Sequence, residues 1–335
     1  MLCMTLFLSE TDVQELYPME RALERVEASF RAQNSGQAAN RSRERILLPQ
    51  TSLHYMAAAL PEEKLVGMKI YTVSGQAFRF LVLLFDADNG NLLAMLEADH
   101  LGRIRTGAAS GVATKFLARP DASRVGLIGA GRQARTQLEA LALVRKLSAA
   151  RVFSRSEETR REFCREMTAK LQIEVEPAES AEAAASFGDV VITATTSKHA
   201  VLLGDWLTPG THVNAVGANM ATRREMDDRT LERAGAIAVD SLEQAKQEAG
   251  DLIQGLAALQ RDWAGIIQIC EVVAGAAPGR RSPTDITIFK SCGLALWDVA
   301  SAGYVYRRAI EAGKGKLLDI FNFKSQNVEP QRGAG

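Results

Sequence analysis

The chain has 335 residues, enough for two domains that each bury a core. Apolar residues make up 47% and charged residues 24%, a soluble globular composition. Lys+Arg and Asp+Glu both number 40, so no net field favours nucleic acid or an anionic membrane. No apolar run approaches the roughly 20 residues of a membrane span. The opening MLCMTLFLSE has no basic start and only a short apolar run, so it reads as a first strand rather than a secretory leader. Cys3, Cys164, Cys270 and Cys292 form no CxxC pair and share no ligand spacing with His54, His100, His199 and His212. Free thiols, a reducing cytoplasmic location and no metal site are the expectation.

Thr11–Gln33 is predicted as one amphipathic helix, followed by strands at Arg45–Leu48, His54–Ala58 and Val66–Val73. A hairpin, Phe80–Phe85 with Leu92–Glu97, turns on Asp88-Asn89-Gly90. Leu101–Leu117 reads as a helix whose small residues, Thr106 to Gly111, let a neighbouring element or a cofactor come close. Arg119-Pro120-Asp121 breaks this α+β texture, and from Arg124 the rhythm is β-α-β. Strands fall at Val125–Ile128, Val152–Phe153, Val190–Ala194, Val213–Val216 and Ala236–Val239, with helices at Arg132–Leu147, Glu157–Leu171 and Ala181–Ser186. Short apolar strands alternating with helices imply a parallel sheet covered on both faces. A last helix, Leu294–Ile310, is expected to cross back to the first domain, and the polar tail Ser325–Gly335 to fray. The expected fold class is α/β: a Rossmann-type doubly wound sheet at 120–287, and an α+β domain made of 1–119 with 288–325.

Strand, glycine turn and helix meet in Val125-Gly-Leu-Ile-Gly129-Ala-Gly131-Arg132-Gln133-Ala134. Gly129 permits the tight turn, Gly131 lets backbone approach a pyrophosphate, and Ala134 lets helix and strand pack closely. At the end of the next strand, where Asp or Glu would hold a ribose 2′-hydroxyl, stand Ser154-Arg155-Ser156. A guanidinium flanked by hydroxyls suits a 2′-phosphate, so NADP(H) is preferred and NAD(H) remains possible. The plainer alternative is that Ser156 caps the following helix.

In the first domain Lys69 interrupts the apolar run Val66–Tyr71, a costly place for an unpaired cation. With Arg45 and Arg105 it suggests a pocket for a carboxylate beside the dinucleotide domain. Asn219 follows the strand Val213–Val216, where an α/β protein usually meets its ligand. His212 and Cys292 read as structural, and His199 as a solvated loop residue.

The chain resembles the ornithine cyclodeaminase/mu-crystallin family along nearly its whole length. The resemblance rests on GMKIYTVS, EADHLGRIRTGAASGVATKFLARP, GLIGAGRQARTQLEAL, TATTS, NAVGAN with RREMD, EAGDL and ITIFKSCGLALWDVA. It implies a substrate-binding, dimer-forming N-terminal domain and a Rossmann domain, with the nicotinamide in the cleft between them. Carried over, Arg45 and Arg105 would hold a substrate α-carboxylate, and Lys69 would contact it and transfer a proton. Thr106, Thr195, Thr196 and Ser197 would line the cofactor, as would Gly217 and Ser291. Asn219 stands where ornithine cyclodeaminases place a catalytic aspartate, and Met56-Ala57-Ala58-Ala59 lacks a second expected acid. The Asp that NAD-using members carry after the second strand is also missing.

These departures bear on chemistry. A cyclodeaminase must deprotonate a distal ammonium, which an amide cannot do. Reduction of a ready-made imine needs no such base. The expectation is therefore an NAD(P)H-dependent, homodimeric reductase of a 2-imino acid, such as Δ1-pyrroline-2-carboxylate or Δ1-piperideine-2-carboxylate. Alternatives are ornithine cyclodeamination, reductive amination of a 2-oxo acid as in alanine dehydrogenases, reduction of an acyclic imine, and an NADPH-occupied binding protein. Glu248 and Asp251 of EAGDL have no physical account from sequence.

Overall fold

The computed structural model describes residues 4–75 and 77–320, so Cys3 and the tail Ser325–Gly335 lie outside the described residues. Chain order begins β1 (Thr5–Leu8), α1 (Glu10–Leu16), α2 (Met19–Asn34), β2 (Ala39–Asn40) and β3 (Glu44–Leu47). It continues β4 (Ser52–Leu60), β5 (Leu65–Ser74), β6 (Ala77–Asp86), β7 (Leu92–Glu97) and α3 (Asp99–Leu117). The single helix expected over Thr11–Gln33 is two. Pro18 offers no N–H and pushes Tyr17 out of helical conformation, to φ −125° and ψ 79°.

The alternating part then runs β8 (Arg124–Ile128), α4 (Arg132–Val144), β9 (Ala149–Phe153), α5 (Glu157–Leu171), β10 (Glu174–Pro177) and α6 (Ala181–Phe187). Next come β11 (Val190–Thr193), β12 (His212–Ala215), α7 (Asp228–Glu232), β13 (Ala234–Val239), α8 (Leu242–Glu248) and α9 (Gly250–Ala258). The chain closes with β14 (Ile266–Gln268), α10 (Ile269–Val273), β15 (Ile286–Lys290), α11 (Ala295–Ala312) and β16 (Lys316–Leu318).

Two eight-stranded sheets result. The first has the order β16-β1-β7-β6-β5-β4-β2, with β3 also on β4. The second is wholly parallel, in the order β10-β9-β8-β11-β12-β15-β13-β14. Its central strands β8, β11, β12 and β15 are almost wholly buried, as a sheet covered on both faces requires. β15, which sequence periodicity left unassigned, inserts between β12 and β13 and spans the boundary expected at 287/288. Strand order reverses beside β8, placing a switch point at the carboxyl ends of β8 and β11.

The two units are joined closely. α11 packs on α2, β4 and β5, bringing Trp297 edge-on to Phe30 with ring centroids 5.4 Å apart. The small-residue helix α3 receives α4: a Cβ on Gly107 would sit 2.3 Å from the Thr136 carbonyl oxygen. Its small side chains thus serve helix packing.

Candidate active site

The glycine turn after β8 opens onto a groove of about 930 Å³. Gly129 has φ 111°, and a Cβ there would meet the Ala194 carbonyl oxygen at 2.4 Å. Gly131 faces open space and begins α4, a helix whose N-terminal N–H groups receive no side-chain cap. A pyrophosphate fits such a turn, because free N–H donors and the helix dipole both favour an anion. Ser154, Arg155, Ser156, Thr195, Thr196 and Ser197 also line the groove, and Ala134 is buried beneath it. Ser156 does cap α5, accepting from Thr159 N–H at 3.2 Å, and Ser154 Oγ donates to the Ser156 carbonyl at 2.9 Å. Arg155 is exposed and has no partner among the described residues. Arg132, expected at the cofactor, is held by Asp99 at 2.8 Å.

A second cavity, of about 200 Å³, lies between the units; Gln133 lines it, two residues along from Gly131, which lines the groove. Lys69 from β5 and Arg105 from α3 enter it almost wholly buried. Both donate to one oxygen of Asp298 on α11, Lys69 Nζ at 2.9 Å and Arg105 Nε at 3.0 Å. Burial pushes the Lys69 ammonium down to about 8, with Asp298 opposing the fall and Arg105 adding to it. Met56, Tyr71, Phe78 and Phe80 line the cavity beside the cations. Lys69 Nζ is 5.2 Å from the Phe80 ring centroid, within cation–π range. Thr106, Asn219 and Ser291 complete the expected residues of this wall.

Arg45 takes a different place. Its guanidinium bonds to Glu248 at 2.5 Å and to the Asn219 carbonyl oxygen at 3.0 Å, behind the cavity. Arg43, which the sequence reading passed over, lines the cavity instead. It donates to Glu248 at 2.7 Å and to the Cys292 carbonyl at 2.9 Å. The EAGDL segment thereby gains a physical account. Glu248 bridges two arginines of the first unit, and Asp251 accepts from the Glu225 and Met226 N–H groups while pairing with Lys290 at 2.8 Å.

Buried carboxylates also shape the loops. Glu225 accepts from the Thr193 and Thr195 hydroxyls and from the Thr195 and Gly217 N–H groups, tying the ends of β11 and β12 together. Asp240 accepts from Ser291 Oγ and from the Cys292 and Gly293 N–H groups. Lys290 Nζ donates to the Ala218 carbonyl, fixing the turn that presents Asn219. The Asn219 carboxamide has no hydrogen-bond partner among the described residues and lines the cavity. Lys290 within ITIFK and Asp298 within LALWDVA carry the signal that singled out Lys69, a charge inside an apolar run. His212 is buried between Thr287 and Asn214, and burial drives it down to about 3, an uncharged structural imidazole. Among the described residues, no group of three His, Cys, Asp or Glu could hold a metal ion. No described helix is long and apolar enough to cross a membrane.

Groove and cavity together mark a Rossmann-type α/β protein with a cation-lined pocket between its units. The chain belongs to the ornithine cyclodeaminase/mu-crystallin family, whose profile matches residues 4–313. It is 34% identical to a Δ1-pyrroline-2-carboxylate reductase of Bacillus cereus over 269 residues, 79% of each chain. The solved structure of Thermococcus litoralis Δ1-pyrroline-2-carboxylate reductase, in complex with NADH and L-proline, superposes with a TM-score of 0.90 at 36% identity. That match covers 93% of this chain and 99% of the other. An archaeal alanine dehydrogenase dimer with bound NAD gives a TM-score of 0.90 at 33% identity, over 95% of this chain and all of that one.

Proposed function

We propose that this chain is a nicotinamide-dependent reductase of a 2-imino acid, with a cyclic ketimine such as Δ1-pyrroline-2-carboxylate or Δ1-piperideine-2-carboxylate as substrate. The observation that carries the reading is the cavity's composition: three buried cations, the aromatic side chains of Tyr71, Phe78 and Phe80, and a neutral amide at position 219. Among the described residues lining it the only carboxylate is Asp99, already engaged by Arg132 and Arg103. No lining carboxylate is left to hold or deprotonate a distal ammonium. The relatives' activity and the L-proline of the Thermococcus neighbour support the same substrate class.

In this reading Arg105 and Arg43 clamp the substrate carboxylate; Asp298 holds the first, and Glu248, shared with Arg45, holds the second. The ring of the imine lies against Tyr71 and Phe80. The Lys69 ammonium gives its proton to the imine nitrogen and is reprotonated from solvent. When bound, the cofactor supplies the hydride that the imine carbon accepts. The N–H groups at the start of α4 hold its pyrophosphate, and Asn219 hydrogen-bonds substrate or ribose. The first sheet, with its helices and α11, serves as the substrate-binding and dimerisation domain, and the second sheet as the cofactor domain. Ile46, Tyr55 and Val66 are exposed, and strand register sets them on the sheet face opposite Lys69. An uncovered apolar sheet face of this kind suits a second copy of the chain.

One spectrophotometric panel tests the activity. Cyclic imines should oxidise NADPH faster than pyruvate with ammonia, and ornithine should release no ammonia. Efficient cyclisation of ornithine by the wild type would overturn the reading.

Arg155 favours NADPH over NADH. Arg155→Ala is expected to weaken NADPH binding about 10-fold or more, the worth of charged hydrogen bonds to a phosphate, and to leave NADH binding nearly unchanged. Titrating both cofactors against both proteins checks it. A second expectation concerns pH. The proton donor is the ammonium, so kcat/KM for reduction should fall as pH rises through about 8, and amine oxidation should rise through the same value. Profiles in both directions measure it.

A further inference from the structure

Asp298 sits in the first turn of α11, fully buried among apolar neighbours. It does not line the cavity, whereas Lys69 and Arg105 do, so it can affect a substrate only through them. Its Oδ1 takes both hydrogen bonds, and Oδ2 has no partner among the described residues. A carboxylate kept only for stability is better served by pairing at both oxygens, since each buried lone pair left empty costs free energy. The geometry here instead concentrates both cations on one oxygen.

We propose that Asp298 is a positioning residue for proton transfer: it aims the Lys69 ammonium into the cavity and keeps it charged in the working pH range. The proposal rests on the reading that Lys69 delivers the proton.

The surroundings of Lys69 make the electrostatic case. Arg105 on α3 and Arg43 before β3 face it as like charges, and both push its ammonium toward the neutral amine. Met56 on β4 and Phe80 on β6 pack around it and supply no charge, while Gly102 on α3 leaves room for Nζ. His54, stacked on Tyr71 of β5, is held uncharged by burial, pushed down to about 4. Glu248 lies beyond Arg43, and Asp99 is occupied by Arg132 and Arg103. Asp298 is thus the one carboxylate in direct contact with Lys69 among the described residues. Without its charge, desolvation and two like charges act on Lys69 in the same direction.

The test compares pH profiles of kcat/KM for cyclic-imine reduction in wild type, Asp298→Asn, Asp298→Glu and Lys69→Met. The high-pH limb of Asp298→Asn is expected about one pH unit or more below that of wild type, with activity recovering as the pH is lowered. Asp298→Glu should keep the limb within about half a unit while lowering kcat, because the charge stays and the aim changes. Should Asp298→Asn fail to fold, Asp298→Glu decides alone, and a limb displaced by a full unit would count against the proposal. A wild-type limb in folded Asp298→Asn, with Lys69→Met abolishing that limb, overturns the role of Asp298 and spares that of Lys69. A limb that survives in Lys69→Met overturns the reading of Lys69, and the proposal with it.

Discussion

Lys69→Met is expected to lower kcat for imine reduction about 10³-fold, with cofactor affinity unchanged. General acid catalysis by a positioned side chain contributes about 10²–10⁴-fold, and among the described residues that line the cavity Lys69 is the group poised to supply it, pushed down to about 8. A guanidinium is a hydrogen-bond donor rather than a proton donor, so Arg43 and Arg105 do not take over this role. Methionine matches the aliphatic stem of lysine closely, so the wall formed with Met56 and Phe80 should survive. Arg105 continues to hold Asp298 at 3.0 Å, so no buried carboxylate is abandoned. The loss should therefore appear mainly in kcat, with a smaller rise in KM from the weakened carboxylate clamp. Steady-state kinetics at several pH values, with cofactor fluorescence as a control for folding, measure it. Turnover at the wild-type rate would remove Lys69 from the chemistry.

The largest loss of stability is expected from Lys290→Met. Lys290 and Asp251 are both completely buried and paired at 2.8 Å. Attraction to Asp251 outweighs burial and holds the Lys290 ammonium far above the ordinary lysine range. The cation also faces Glu225, whose carboxyl burial pushes up and Lys290 pulls back down. Removing one partner of such a pair leaves an uncompensated charge in a low-dielectric interior, at a cost of about 3–5 kcal/mol. The urea midpoint should fall accordingly. The double variant Lys290→Met/Asp251→Asn should regain part of the loss: an amide carries no charge, yet its oxygen can still accept from the Glu225 and Met226 N–H groups. If the single variant unfolds at the wild-type midpoint, the pair contributes nothing to stability.

Much of this architecture is legible in the residues themselves, for local reasons. The glycine turn at Gly129 and Gly131 imposes backbone demands that few sequences meet, and periodicity marks the strands β8, β9, β11, β12 and β13. Pro18 shows where periodicity misleads: its apolar spacing continues a helix that its ring cannot. β15 escaped notice because Lys290 interrupts its apolar run and no helix pattern flanks it on the β-α-β schedule, and its insertion between β12 and β13 is a long-range choice. Arg43 and Arg45 lie two residues apart, so strand alternation points both to the same side. Which guanidinium reaches the cavity depends on where β3 begins and on Glu248, some 200 positions later, and no local pattern encodes that. The pairings of Asp298 and Asp251 are hidden for the same reason: a buried charge announces that it needs a partner without naming it.

Glu248 belongs to α8 of the second unit, and the two guanidiniums it holds belong to the first. Any wide parting of the units would strand a buried anion from both counterions, a rupture that thermal motion rarely achieves at several kcal/mol per broken pair. The molecule is thus braced like a bracket, since parting the units must first break both pairs. Substrate exchange is therefore expected to need side-chain motion at the cavity's edge, where Phe78 is half exposed, rather than a parting of the units.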